Sequence, residues 1–129
     1  MTCVTDTHAL LWWFTANPKL GSGASQCFEK CEEGEFTIAI PTIVIAEALS
    51  IFDKKRISFD FKTLFKQIHA SGNFILVPLD YPILEQMVDL KDISELHDKI
   101  IVSTAKYLGL PIITKDKAIQ NLSYIKTIW

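Results

Sequence analysis

Four acids stand apart among the 15 in this 129-residue chain: Asp6, Glu47, Asp98 and Asp116. Asp6 directly follows the apolar stretch Cys3-Val4-Thr5, and Asp116 closely follows Ile112-Ile113-Thr114. Glu47 is the only charged residue between Phe36 and Phe52. On a helix its neighbours are Ile43, Val44, Ser50 and Ile51, a mostly apolar face. Asp98 opens the run Asp98-Lys99-Ile100-Ile101-Val102. Each acid alone has a simple structural use. An Asp after a strand caps the next helix, an acid in a first turn is favoured by the helix dipole, and a lysine from elsewhere can pair with Glu47. Brought to one place they have another. Converging carboxylates repel one another and raise each other's pKa, and a hard divalent cation removes that penalty. Oxygen donors without His or Cys suit Mg²⁺ or Mn²⁺.

The elements around these acids predict how they could converge. Strands are expected at Cys3–Thr5, Phe36–Ile40, Phe74–Val77, Ile112–Thr114 and Ile125–Trp129. Helices are expected over His8–Phe14, Ser22–Glu33, Thr42–Lys54, Asp60–Ala70, Tyr81–Leu90 and His97–Leu108, with a short one over Lys117–Leu122. Ser22 reads as an N-cap, Gly34 and Gly109 as stops, Pro41 as lying near the first turn of its helix and Pro82 in the first turn of its own. Strands separated by helices imply right-handed crossovers and an α/β fold, with a central, mostly parallel sheet of about five strands. Continuously apolar strands such as Ile38-Ala39-Ile40 imply cover on both faces, a three-layer α/β/α arrangement. In such sheets ligands bind beyond the carboxyl ends of the strands, at a switch in strand order. Asp6 and Asp116 should both lie there.

Composition narrows the functional classes. The length fits one domain spanning 1–129, and 49% hydrophobic with 22% charged residues is a globular balance. A net charge of −2 excludes a strongly basic nucleic-acid sleeve. Setting the four acids aside leaves 11 acids against 13 bases, so a near-neutral total can hide an acidic pocket in a mildly basic shell. No run is long enough to cross a membrane, and the first basic residue is Lys19, which is unlike a signal peptide. A cytoplasmic location is expected. Cys3, Cys27 and Cys31 lack zinc spacing and read as small buried apolar residues.

Four segments carry a resemblance. They are Val4-Thr5-Asp6-Thr7-His8-Ala9-Leu10-Leu11-Trp12, Ile45-Ala46-Glu47-Ala48, Leu96-His97-Asp98 running on to Ala105, and Leu110-Pro111-Ile112-Ile113-Thr114-Lys115-Asp116. In this order the chain resembles the PIN-domain family and, within it, the small VapC-type toxins of bacterial toxin–antitoxin pairs. The resemblance implies a PIN-like fold and a Mg²⁺- or Mn²⁺-dependent endoribonuclease that hydrolyses phosphodiester bonds of RNA. It further implies a homodimer and a cognate antitoxin laid across the acidic cleft. Asp6, Glu47, Asp98 and Asp116 match the family's catalytic, metal-binding carboxylates, and Thr114 a hydroxyl beside the last of them. Asp6 and Asp98 are the expected direct ligands. An Arg commonly follows the third acid in such toxins; here it is Lys99, which keeps the charge but loses the bidentate fork. Other readings are an RNA-processing or DNA-acting nuclease, or a catalytically silent PIN-like binding module. A haloacid-dehalogenase-type phosphotransferase would need an acid where His8 stands.

Residues beside the acids complete the expected site. Lys99, Lys115 and Lys117 are candidate phosphate contacts. Thr5 and Thr114, and also Thr7, could hydrogen-bond the ligating carboxylates, although capping the first helix suits Thr7 equally. His8 and His97 flank acids in sequence, but helical neighbours point about 100° apart. Trp12 and Trp13 read as core or interface rather than a base-stacking surface. Trp13, Phe14, Ile51, Phe52, Phe59, Phe61 and Phe65 exceed what one small core needs, so an apolar surface for partners is expected.

Overall fold

Five short strands form one sheet: β1 (Cys3–Thr5), β2 (Ile38–Pro41), β3 (Phe74–Val77), β4 (Ile112–Ile113) and β5 (Thr127–Ile128). The structure is a computed structural model and describes residues 1–129. The strand order is β3-β2-β1-β4-β5, and all four pairings are parallel. The sheet is thus wholly parallel, where a mostly parallel one was expected. Its centre is β1: Val4 faces Ala39 of β2 on one side and Ile112 of β4 on the other. The chain builds outward from β1 to β3, then returns to place β4 on the opposite side. The switch in strand order therefore lies between β1 and β4, immediately below Asp6 and Asp116.

Seven helices make the crossovers: α1 (Thr7–Phe14), α2 (Ser22–Glu32), α3 (Thr42–Lys54), α4 (Phe61–Ser71), α5 (Tyr81–Asp89), α6 (Leu96–Leu108) and α7 (Lys117–Gln120). Every residue of β1, β2 and β4 is buried, as cover on both faces requires. Edge strand β3 departs from this, with Ile75 39% and Leu76 36% exposed.

Several boundaries move for local reasons. Strand β2 begins at Ile38 and runs through Pro41, which then serves as the N-cap of α3, directly before its first turn as expected. The last strand contracts to two residues, and α7 to one turn. Helix α6 starts at Leu96 because Glu95 caps it, its carboxylate accepting from the Asp98 N–H. Ser22 is the first helical residue of α2 and not its cap; Gly21 occupies that position without a side-chain bond.

A cluster of 25 buried residues forms the core. The aromatic surplus is largely absorbed: Trp13, Phe14, Phe59 and Phe61 pack against that core, and Phe52, Phe59 and Phe61 lie 4.9–5.7 Å apart by centroid. Of that expected set Phe65 is exposed, at 36%; the most exposed apolar residues are Val88 at 73% and Tyr81 at 70%. All three cysteines are buried and free, and burial pushes the Cys3 thiol up to about 12. No helix is long and apolar enough to cross a membrane.

Ser103 of α6 is fully buried, and its hydroxyl has no hydrogen-bond partner. A buried polar group left unpaired costs about 1–3 kcal/mol. Ser103→Ala is therefore expected to raise thermal stability by about 1 kcal/mol. A lower midpoint in thermal melts of the variant would contradict this.

Candidate active site

Asp6 leaves β1 and caps α1, its Oδ1 accepting the Ala9 N–H at 2.9 Å. Asp116 leaves the β4 end and caps α7 in the same way, accepting the Ile119 N–H at 3.1 Å. The capping and ligand readings of these two acids are compatible. One oxygen ties each side chain to a helix and fixes its rotamer, while the other is available to a ligand. Thr114 joins the pair. Its hydroxyl accepts the Asp116 N–H at 3.0 Å and also favours the charged form of Asp6. Burial nevertheless pushes the Asp6 carboxyl above its ordinary value, aided by the charge of Asp116 and opposed by Thr114 and the Ala9 N–H.

The second half of the site comes from α3 and α6. Asp98 stands in the first turn of α6, half-buried, and its carboxyl is pushed up to about 6. Burial is the main cause, followed by the charges of Asp116, Glu95, Glu47 and Asp6. Glu47 accepts the hydroxyl of Thr7 on Oε1, and the His97 Nδ1 lies 3.3 Å from its Oε2. The same nitrogen lies 2.6 Å from Oε1 of Glu95. The donor atoms of Glu47, Glu95 and His97 all lie within 4.8 Å of one another. Burial works against the charge on Glu95, but the N–H of Asp98 and the His97 ring outweigh it and hold the carboxyl below its ordinary value.

One cavity of about 510 Å³ collects these groups. Asp6, Glu47, Asp98 and Asp116 all line it, together with Thr7, His8, Trp12, Glu95, Ile101 and Lys115. The only ion pairs formed are those of His97 with Glu47 and Glu95; no lysine, nor Arg56, neutralises any of the four acids. Four carboxylates in one cavity, crowded enough to raise Asp98 and with no lysine or arginine paired to them, fit a hard divalent cation.

The flanking residues divide. Lys115 lines the cavity, whereas Lys99 and Lys117 lie outside the lining. They sit one position beyond an acid, and the helical turn carries them away from it. Thr5 bonds the backbone carbonyl of Asp6, not a carboxylate. Thr7 is buried and bonded to Glu47, since Asp6 takes the capping position. His97 bridges Glu47 and Glu95. Sequence reasoning passed over Glu95 as a lining residue, and it read Trp12 as core or interface, whereas Trp12 stays outside the core and lines the cavity. The signal for Glu95 was an acid three residues before Asp98, at capping distance from a helix start. Trp12 had none that distinguished it from Trp13.

A profile of the PIN domain matches residues 3–123. A search of curated proteins found no match. Among solved structures, the fold is similar to a toxin–antitoxin complex from Klebsiella pneumoniae, with a TM-score of 0.67 and 22% identity over 96% of this chain and 95% of that one. It is also similar to VapBC2 from Rickettsia felis bound to a DNA fragment from its promoter, with a TM-score of 0.74 and 16% identity over 98% and 97% of the two chains. A DNA-bound VapBC from Salmonella typhimurium gives 0.70 and 14% over 98% and 96%. Such identities speak for the fold alone. The profile match covers nearly the whole sequence and includes all four cavity acids, and on that ground the chain belongs to the PIN-domain family.

Proposed function

We propose that the protein is a Mg²⁺- or Mn²⁺-dependent endoribonuclease, the toxin component of a toxin–antitoxin pair acting in the cytoplasm. The observation that carries this reading is the convergence of Asp6, Glu47, Asp98 and Asp116 on one cavity with no lysine or arginine paired to them. Asp6, Asp98 and Asp116 would hold the cation, with Glu47 beside them. When bound, it supplies charge neutralisation at the phosphate and lowers the pKa of water. Glu47 is held by the Thr7 hydroxyl and the His97 ring, which suits it to orient the attacking water and accept its proton. Lys115 provides the one ammonium in the cavity lining for a substrate phosphate. Thr114 keeps Asp6 and Asp116 in register with each other.

The toxin reading draws support from the similar folds, which come from toxin–antitoxin assemblies. A homodimer and an antitoxin are the proposed protein partners. Exposed apolar residues on β3 and α5, among them Ile75, Leu76, Tyr81 and Val88, support a protein-binding surface.

The test is hydrolysis of single-stranded RNA with Mg²⁺ or Mn²⁺, beside a DNA strand of the same sequence. Cleavage of RNA that EDTA abolishes and either ion restores is expected. Cleavage unaffected by EDTA would overturn the metal assignment, and cleavage of DNA alone would overturn the substrate assignment.

A further inference from the structure

Trp12 and Trp13 are adjacent on α1 but meet different surroundings. Trp13 stacks on Phe28 of the core at 5.3 Å and 10°. Trp12 is half-buried, does not join the core, and lines the acidic cavity. A large aromatic ring kept outside a core needs another brace, and two rings supply it. His8 meets Trp12 at 5.7 Å and Trp129 meets it at 5.9 Å, both at 64°.

Trp129 is itself seated with care. Its carbonyl accepts the Gly23 N–H at 3.1 Å. A Cβ at Gly21 would stand 2.6 Å from its backbone carbon and ring, and one at Gly23 would stand 2.5 Å from its carbonyl oxygen. Two glycines at the start of α2 thus make the space that lets Trp129 reach Trp12. Two ammonium groups complete the arrangement: Lys115 lies 4.7 Å and Lys19 5.9 Å from the Trp12 ring centroid.

We propose that Trp12 is a stacking surface for a nucleobase next to the scissile phosphate, with Lys115 and Lys19 meeting backbone phosphates and Trp129 as a positioning residue behind it. The proposal rests on the nuclease reading above. An aromatic face flanked by mobile cations is the combination that binds single strands: the ring takes a base of any identity and the cations follow the backbone. The lysine stems are long enough for their ammonium groups to leave the ring for a phosphate as a base arrives. Placed in the wall of the acidic cavity, this surface would set the strand's position relative to Asp98 and Glu47.

The test separates stacking from cleavage. Affinity is measured with Mg²⁺ in an Asp98→Asn background, using a short oligouridylate and an abasic oligonucleotide of the same length. Adding Trp12→Leu is expected to weaken oligouridylate binding about tenfold, the effect of one lost stacked base. The abasic strand should bind both proteins with the same weaker affinity. Trp12→Phe should lose less, again on the base-bearing strand only, and it carries the test if the leucine variant does not fold. Trp129→Leu should mimic Trp12→Leu, and Trp129→Phe should restore much of the loss. Equal oligouridylate affinity with and without Trp12, or an equal loss on the abasic strand, would overturn the proposal. Failure of the wild type to cleave any RNA would instead overturn the nuclease reading on which it stands.

Discussion

Asp6→Asn is expected to abolish metal-dependent RNA cleavage while making the metal-free protein more stable. Two features of one side chain produce these opposite effects. Asp6 caps α1 through Oδ1, and asparagine caps a helix about as well as aspartate. The fold therefore keeps its local support. What disappears is a carboxylate charge that is buried, sits near Asp116 and lacks a side-chain counterion. Loss of a supporting residue around a metal ligand typically costs 10–100-fold, so loss of a proposed ligand should exceed about 100-fold in rate. Without metal the same charge is a burden. Its removal should add about 1 kcal/mol, a rise of roughly 4 °C in Tm for a chain of this size. Cleavage assays and thermal melts in EDTA measure the two effects separately. Full activity in the variant would remove Asp6 from the site, and a lower Tm in EDTA would mean that its charge was not costly. Function here is paid for in stability, a trade common where charges are gathered for a ligand.

The second large effect is a reversed pH dependence. Asp98 is pushed up to about 6, and Asp6 is raised as well, chiefly by burial. Between the ordinary carboxylate pKa and these higher values the native state holds protons that the unfolded chain has released. Their contribution to stability is complete at the acidic end and is lost as the pH rises through about 6. Glu95 works the other way: its lowered carboxyl stabilises above its ordinary value, and that contribution is lost on acidification. In EDTA the midpoint of unfolding should therefore be highest near the ordinary carboxylate range, about pH 4, and fall as the pH rises to about 6. Mg²⁺ should stabilise little at the acidic end, where it competes with protons, and strongly at neutral pH. Asp98→Asn should flatten the EDTA profile and reduce the Mg²⁺ response. A wild-type midpoint that rises steadily from pH 5 to 7 in EDTA would contradict the electrostatic account of the cavity.

Much of the site was legible because the sheet's topology does the gathering. Asp6 and Asp116 each leave a strand at its carboxyl end, and parallel strands put such ends on one edge. Asp98 and Glu47 were recognisable by their places on helices, the first in an opening turn and the second alone on an apolar face. Helix ends followed from stops, as at Gly34 and Gly109, with φ of +86° and +68°. Less legible were features that depend on which residue meets which across the fold. Lys99, Lys115 and Lys117 looked alike in sequence, each beside an acid, yet only Lys115 reaches the cavity. Glu95 has the common outward sign of a capping residue; its contact with His97 is local, and only packing brings the two within range of Glu47.

By itself the sequence determined the class of fold, the order of its elements and the identity of the four cavity acids. These follow from periodicity, capping residues and charge placed against apolar runs, all of which act over a few neighbouring positions. Tertiary structure alone decided that the sheet is wholly parallel, that Thr7 and His97 hold Glu47, and that Trp12 turns to the cavity while Trp13 enters the core. Those outcomes depend on partners 40 or more residues away for Glu47 and on a cradle built by Gly21 and Gly23 for Trp129. No local pattern encodes such contacts, because each is set by how helices settle on the sheet after they have formed.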